Sequence, residues 1–435
     1  PSTRRAGDAT LTEEPPLSRP IHAPALLADT EVRAAPSPEE LAALATDYDR
    51  TLLIVEDDVD FARVLPELAA QFRFRSIIAS TAAEALSLAR RYRPDAIALD
   101  VRLPDRSGWT VLEALKRDPQ LRSAPVLVVT VLEDAHRAYH LGAAGFLRKP
   151  VSREALERTI QQLRLLVDRP ERVVSVVGPP GPDRQAVVDL LTLPDVRVEA
   201  FDGEADAVGF GGPVDCAVVL HAAGNGSPRQ FIARLRSKPE TANMPVIVWR
   251  AAGADVSREL KAAAEVIDAM PDNEGQLLES VTLHLHLPEE RIPEDRRERM
   301  HRWRASEPVL RGRKVLLVDD DVRNLFALST VLEQRGMIVE HAESGRAALE
   351  ALRKRPDTDI VLMDVMMPEM DGHTATRMIR TTPGIAQIPV ICITAKAMRG
   401  DREACLASGA TDYISKPVDI EHLLSLLRVW LVEAG

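Results

Sequence analysis

Short apolar runs closed by polar residues punctuate the chain from residue 51 onward. "TLLIVEDD" (51–58) and "KVLLVDDD" (314–321) share one pattern, an apolar stretch too short for a helix that ends in consecutive acidic residues. "RVVSVVG" (172–178), "VDCAVVL" (214–220) and "MPVIVWR" (244–250) repeat the apolar part without the acidic end. Runs of this length read as buried strands. Helical patterns such as "DRQAVVDLLTL" and "SPRQFIARLRS" lie between them. Continuous apolar strands alternating with amphipathic helices imply a parallel sheet covered on both faces. Three doubly wound α/β units in tandem are expected.

Two of the units share further landmarks in the same order. "ALDVRLPDRSG" (98–108) matches "LMDVMMPEMDG" (362–372) in its aspartate, the following Val, and the later Pro and Gly. From Asp57 to Asp100 is 43 residues, and from Asp320 to Asp364 is 44. Thr130 follows Asp100 by 30, as Thr394 follows Asp364. Each segment closes on an aromatic residue and Lys-Pro, in "FLRKP" around Lys149 and "YISKP" around Lys416. The middle stretch keeps only the rhythm, Leu220 to Arg250 again being 30 residues.

The length of 435 residues suits two to four domains of about 100–200 residues each. The boundaries follow composition: a Pro- and Ala-rich flexible linker (1–49), a first unit (50–168), a middle unit (171–287), a charged linker expected to be a solvated helix (288–312), and a last unit (313–433). The 66 acidic and 55 basic residues give a net charge of -11, which argues against nucleic acid as the main partner. No apolar run is long enough to span a bilayer. Cys216, Cys392 and Cys405 lie far apart with no metal-ligand spacing, which fits a reduced, cytoplasmic setting.

In an open parallel sheet, functional groups gather at the carboxyl ends of the strands. Glu56, Asp57 and Asp100 then crowd one pocket with Thr130 and Lys149. Three clustered carboxylates repel one another unless a hard cation joins them, and Mg²⁺ suits oxygen donors. A carboxylate can accept a phosphoryl group, whose charge a metal and a lysine would offset.

With these motifs in view, both outer units resemble receiver domains of two-component signalling proteins. "MDVMMPEMDG", "TAKAMRGD" and "GATDYISKPVD" further resemble the last receiver of bacterial hybrid histidine kinases. The resemblance implies three flavodoxin-like (βα)5 folds, the middle one degenerate. It makes Asp100 and Asp364 the phospho-acceptors. Glu56 with Asp57, and Asp319 with Asp320, become the acidic pairs for Mg²⁺, and the backbone carbonyls of Arg102 and Met366 further metal ligands. Thr130 and Thr394 become the switch hydroxyls, Lys149 and Lys416 the phosphate-pairing lysines, and Phe146 and Tyr413 the switch aromatics. The first unit departs from the pattern at Val131, where Ala395 stands in the last, and in its shorter interval from Thr130 to Lys149, 19 residues against 22. A shortened fourth helix or preceding loop is expected there.

The middle unit offers Val177 and Gly178 for the acidic pair, Leu220 or His221 for the acceptor, Arg250 for the hydroxyl and Met270 for the lysine. It reads as a pseudo-receiver that binds no metal. "GPPGPD" (178–183) lacks the Lys and Ser or Thr that close a phosphate loop. The function implied is a phosphorelay array that takes phosphoryl groups from a kinase phosphohistidine and passes them to a histidine phosphotransfer protein or another response regulator. No kinase motif is present, so the phosphohistidine domain is expected upstream or on another chain. A regulatory scaffold, with the middle unit docking the kinase or a partner, and a stand-alone phosphate sink are the alternatives.

Overall fold

A computed structural model describes residues 48–203, 207, 212–221, 228–238, 241–250, 267–395 and 399–431. The expected N-terminal linker falls outside these residues up to position 47, as do positions 396–398 of "TAKAMRGD".

The first unit runs β1 (Arg50–Val55), α1 (Val59–Gln71), β2 (Phe74–Ala79), α2 (Ala82–Tyr92), β3 (Ala96–Leu99), α3 (Gly108–Arg117), β4 (Val126–Thr130), α4 (Ala135–His140), β5 (Gly145–Arg148) and α5 (Arg153–Asp168). Its parallel sheet has the order β2-β1-β3-β4-β5. Successive residues of β1 alternate between the two faces, so Leu53 and Val55 enter one core and Leu52 and Ile54 the other. That two-sided burial is why the strand reads as an unbroken apolar run.

The middle unit contains β6 (Arg172–Val177), α6 (Pro182–Leu191), β7 (Val196–Phe201), β8 (Cys216–His221), α7 (Pro228–Arg236), β9 (Val246–Arg250) and α8 (Glu274–His284). Among the described residues its sheet, β7-β6-β8-β9, has four strands where five were expected. Where a fifth would lie, the described residues make a single parallel bridge, Ile247 to Ala269.

A charged helix, α9 (Glu294–Ala305), lies in the charged stretch, with one side exposed to solvent and the other packed on the protein. It packs along α8. Met300 is fully buried, Arg304 donates to Glu279 (Nε to Oε2 2.8 Å) and also pairs with Glu289, and His301 pairs with Glu289. Part of the charge that reads as solvation, that of Arg299, His301 and Arg304, is engaged in ion pairs.

The last unit repeats the first: β10 (Lys314–Val318), α10 (Val322–Gln334), β11 (Ile338–Ala342), α11 (Gly345–Lys354), β12 (Ile360–Asp364), α12 (Gly372–Thr381), β13 (Val390–Thr394), α13 (Arg399–Ala407), β14 (Asp412–Ser415) and α14 (Ile420–Leu431), in the sheet order β11-β10-β12-β13-β14.

Buried charges join the three units. Helix α14 lies on α3 of the first unit, where Ser425 Oγ donates to Glu113 Oε2 at 2.7 Å. Arg428 reaches Glu113 at 3.3 Å and Glu307 at 2.9 Å, and Glu307 also accepts from Arg117 and Arg335. Between the first and middle units, buried Arg122 donates to Glu289 at 3.1 Å and Glu279 at 2.9 Å.

Candidate functional site

Strand ends and helix starts build the same pocket in the first and last units. In "EDD" and "DDD" the third acidic residue has a structural task. Asp58 caps α1 by accepting from the backbone of Asp60 and Phe61, and Asp321 caps α10 by accepting from Arg323. The two preceding residues in each run are left to face the sheet edge.

In the first unit Glu56 and Asp100 are buried at 3% and 6% exposure, with Asp57 between them in sequence and half-buried. Ligand oxygens of these three residues lie within 4.8 Å of one another. Lys149 Nζ donates to both oxygens of Glu56 (2.9 and 2.7 Å) and to Asp100 Oδ2 (2.7 Å). It reaches them because the Lys149 backbone N–H donates to Thr130 O at 2.7 Å, registering the lysine beside the buried threonine. The other Asp100 oxygen, Oδ1, accepts from the Arg102 backbone at 2.9 Å. Burial raises the Glu56 carboxyl to about 7, against the pull of Lys149 and with help from the Asp100 charge.

The last unit has the same arrangement with a shorter acid. Asp319 and Asp364 are buried and Asp320 is exposed, and their oxygens again lie within 4.8 Å of one another. Lys416 Nζ stands 3.0 Å from both Asp319 Oδ2 and Asp364 Oδ2, and its own N–H donates to Thr394 O at 2.7 Å. Burial pushes the Asp364 carboxyl up, Lys416 opposes that, and Asp319 adds to it. A lysine bridging two carboxylates that repel each other is therefore present twice.

Four further residues shape these pockets. A Cβ on Gly108 would stand 2.3 Å from Asp100 O, and one on Gly372 2.1 Å from Asp364 O, so only glycine lets α3 and α12 start this close to the acceptor backbone. Asn324 Nδ2 donates to both oxygens of Asp319 at 3.1 Å. Phe61 lies 4.4 Å beneath the Lys149 ammonium. The glycines were visible in the matched motifs, whereas the other two carry no spacing signal.

The switch candidates differ between units. Phe146 is half-buried against the core that holds Trp109 and Ala138. Tyr413 is buried, and its hydroxyl donates to Asp105 O, in the loop following Asp100 of the first unit, at 3.3 Å. The shortened segment of the first unit is α4, with 6 residues against 9 in α13, and Val131 beside it is exposed.

The middle unit brings none of this together. Val177 is buried, and Leu220 packs where a side chain at Gly178 would go, its Cβ 2.9 Å from that position. Arg250 pairs with Asp272 at 3.4 Å, and Met270 packs on the core. In the "GPPGPD" turn, Arg184 Nη1 donates to Gly178 O at 3.1 Å and pairs with Asp202. Among the described residues, no cluster of potential metal ligands falls in this unit.

The sequence model of the response regulator receiver domain matches residues 52–161 and 315–428, more than half of the chain. The chain belongs to the response regulator receiver family. The match leaves the middle unit uncovered. Signal transduction histidine-protein kinase BarA of Escherichia coli K12 is 42% identical over 113 residues, covering 26% of this chain and 12% of the kinase. Sensor histidine kinase GacS of Pseudomonas protegens is 39% identical over 127 residues, covering 28% and 13%. The chain thus matches only a small part of these kinases. Protein PilH of Pseudomonas aeruginosa is 37% identical over 118 residues, 27% of this chain and 97% of PilH. Among solved structures, the receiver domain of a Pseudomonas aeruginosa sensor histidine kinase, described with a magnesium ion in its active site cleft, is 35% identical and covers 28% of this chain and 98% of its own, with a TM-score of 0.26. Chemotaxis protein CheY4 of Vibrio cholerae is 32% identical and covers 27% and 98%, also with a TM-score of 0.26. Among the described residues, no helix is long and apolar enough to cross a membrane.

Proposed function

We propose that the chain is a cytoplasmic phosphorelay array, in which Asp364 and Asp100 each accept a phosphoryl group from a kinase phosphohistidine. The observation that carries this reading is the lysine bridge, Lys416 between Asp319 and Asp364 and Lys149 between Glu56 and Asp100, within a receiver fold. A carboxylate oxygen of Asp364 attacks phosphorus and the bond from phosphorus to the imidazole nitrogen breaks, its electron pair staying on the histidine. Lys416 then leaves its carboxylate partner to pair with a phosphoryl oxygen, and the Thr394 hydroxyl donates to another. Lys149 and Thr130 act likewise on Asp100.

Oxygen-only donor sets of three carboxylates, completed by the carbonyls of Met366 or Arg102, fit Mg²⁺. When bound, Mg²⁺ supplies neutralising charge to the transferring phosphoryl oxygens. The middle unit, where Leu220 stands in place of an acceptor aspartate, is a pseudo-receiver that holds its neighbours. The onward acceptor is a histidine phosphotransfer protein or another response regulator.

A small-molecule phosphodonor with Mg²⁺ should label the chain with an acid-labile group, and Asp364→Asn should remove the share that Asp364 carries, leaving only that on Asp100. Undiminished labelling of Asp364→Asn would refute the assignment.

A further inference from the structure

The three cysteines are scattered in sequence, yet the fold brings two of them together. Cys392 lies on β13 and Cys405 on α13, and both are completely enclosed. His373, in the first turn of α12, meets them there. One ligand atom from each of the three residues lies within 4.8 Å of the other two. His373 is half-buried, but its Nδ1 is enclosed and has no hydrogen-bond partner. An enclosed ring nitrogen without a partner is unfavourable, and a bound cation would satisfy it.

We propose that Cys392, Cys405 and His373 form a binding site for a thiophilic d¹⁰ cation, Zn²⁺ in the first instance, separate from the oxygen-lined pocket at Asp364. Two sulfurs and an imidazole select such a cation over Mg²⁺, which takes carboxylate and water. Binding exchanges the two thiol protons for the metal, so two thiolates neutralise the dication and the filled site carries no net charge. That neutrality matters in apolar surroundings, since both cysteines pack with Val365, Ala410 and Tyr413. Three protein ligands leave one coordination position open, and half-exposed His373 gives the approach from solvent. No spacing motif announces the site because its ligands come from three separate elements.

The position has a consequence that rests on the phosphorelay reading. Cys392 lies two residues before Thr394 on the same face of β13, and Tyr413 shares the cluster. Metal joining β13, α12 and α13 would hold the elements that carry the switch hydroxyl and border the switch aromatic, and so slow switching at Asp364.

The full chain, reduced and stripped with chelator, is titrated with Zn²⁺ against a chromophoric competitor in excess Mg²⁺. One equivalent should bind, and Co²⁺ in its place should give a thiolate-to-cobalt charge-transfer band. Cys405→Ser and His373→Ala should each lose the equivalent and the band. Cys216→Ser should keep both, as should Asp364→Asn, so that failure of the relay reading and failure of this site are read separately. Circular dichroism of each variant reports folding, and the cobalt spectrum of the wild type stands independently of the variants. Absence of zinc uptake by the reduced wild type, uptake retained by folded Cys405→Ser, or a Cys392–Cys405 disulfide in a chain whose reduced form binds no zinc would each overturn the proposal.

Discussion

Glu56 and Asp319 occupy equivalent places but differ by one methylene, and they meet their lysines differently. Glu56 accepts two hydrogen bonds from Lys149, where Asp319 takes one from Lys416. Its carboxyl is nonetheless raised to about 7, because burial outweighs the lysine. Without a cation, the folded chain holds a proton at Glu56 between pH 4.5 and about 7 that the unfolded chain has released, so this group's contribution to stability falls as pH rises through that window. The same proton competes with metal. With the last unit silenced by Asp320→Asn and Asp364→Asn, Mg²⁺ affinity at the first unit should fall by up to about tenfold for each pH unit below 7, as measured by calorimetry. Affinity that stays flat from pH 8 to 6 would mean that Glu56 does not border the metal.

At the scale of elements, the close start of α12 against the acceptor strand depends on Gly372. Alanine there would place its Cβ 2.1 Å from Asp364 O, so helix or strand must shift. Gly372→Ala should cost about 1–3 kcal/mol, read by denaturant unfolding, and should depress labelling of Asp364 more than that of Asp100. Much of this level was legible in sequence. Strands buried on both faces leave unbroken apolar runs, and Asp100, Thr130 and Lys149 recur at strand ends because the sheet itself sets their intervals. The shortening before Lys149 was likewise legible, and it lies in α4. Other features were not. Among the described residues the fifth strand of the middle unit is reduced to a bridge at Ala269, although the apolar rhythm suggested a full repeat. Helix α9 reads as solvated from its charge, yet Arg299 pairs with Glu274 and Arg304 with Glu279 and Glu289, partners distant in sequence that no local pattern reveals. The meeting of Cys392, Cys405 and His373 was invisible for the same reason.

Across the whole molecule, the buried charges do more than decorate contacts between units. Removing the Arg428 side chain would leave Glu113 and Glu307 buried with a partner lost, and burial already pushes the Glu113 carboxyl up. Arg428→Ala should therefore cost about 3–5 kcal/mol, seen as a lower denaturant midpoint, whereas an exposed charge such as Arg63 should cost little when removed. The same contact surface brings the Tyr413 hydroxyl to Asp105 O, so a movement of Tyr413 would be felt in the first unit. Beryllofluoride, a stand-in for the phosphoryl group, should shift the NMR signals of residues 105–106 even in an Asp100→Asn chain, where only the last unit can load. Unchanged signals there would mean that the last receiver switches without informing the first.

The most direct measurement is the intact mass of the chain after incubation with a small phosphodonor and Mg²⁺. Wild type should gain up to two phosphoryl groups, Asp100→Asn and Asp364→Asn one each, and the double variant none. A double variant that gains as many as the wild type would contradict phosphoryl acceptance at these aspartates.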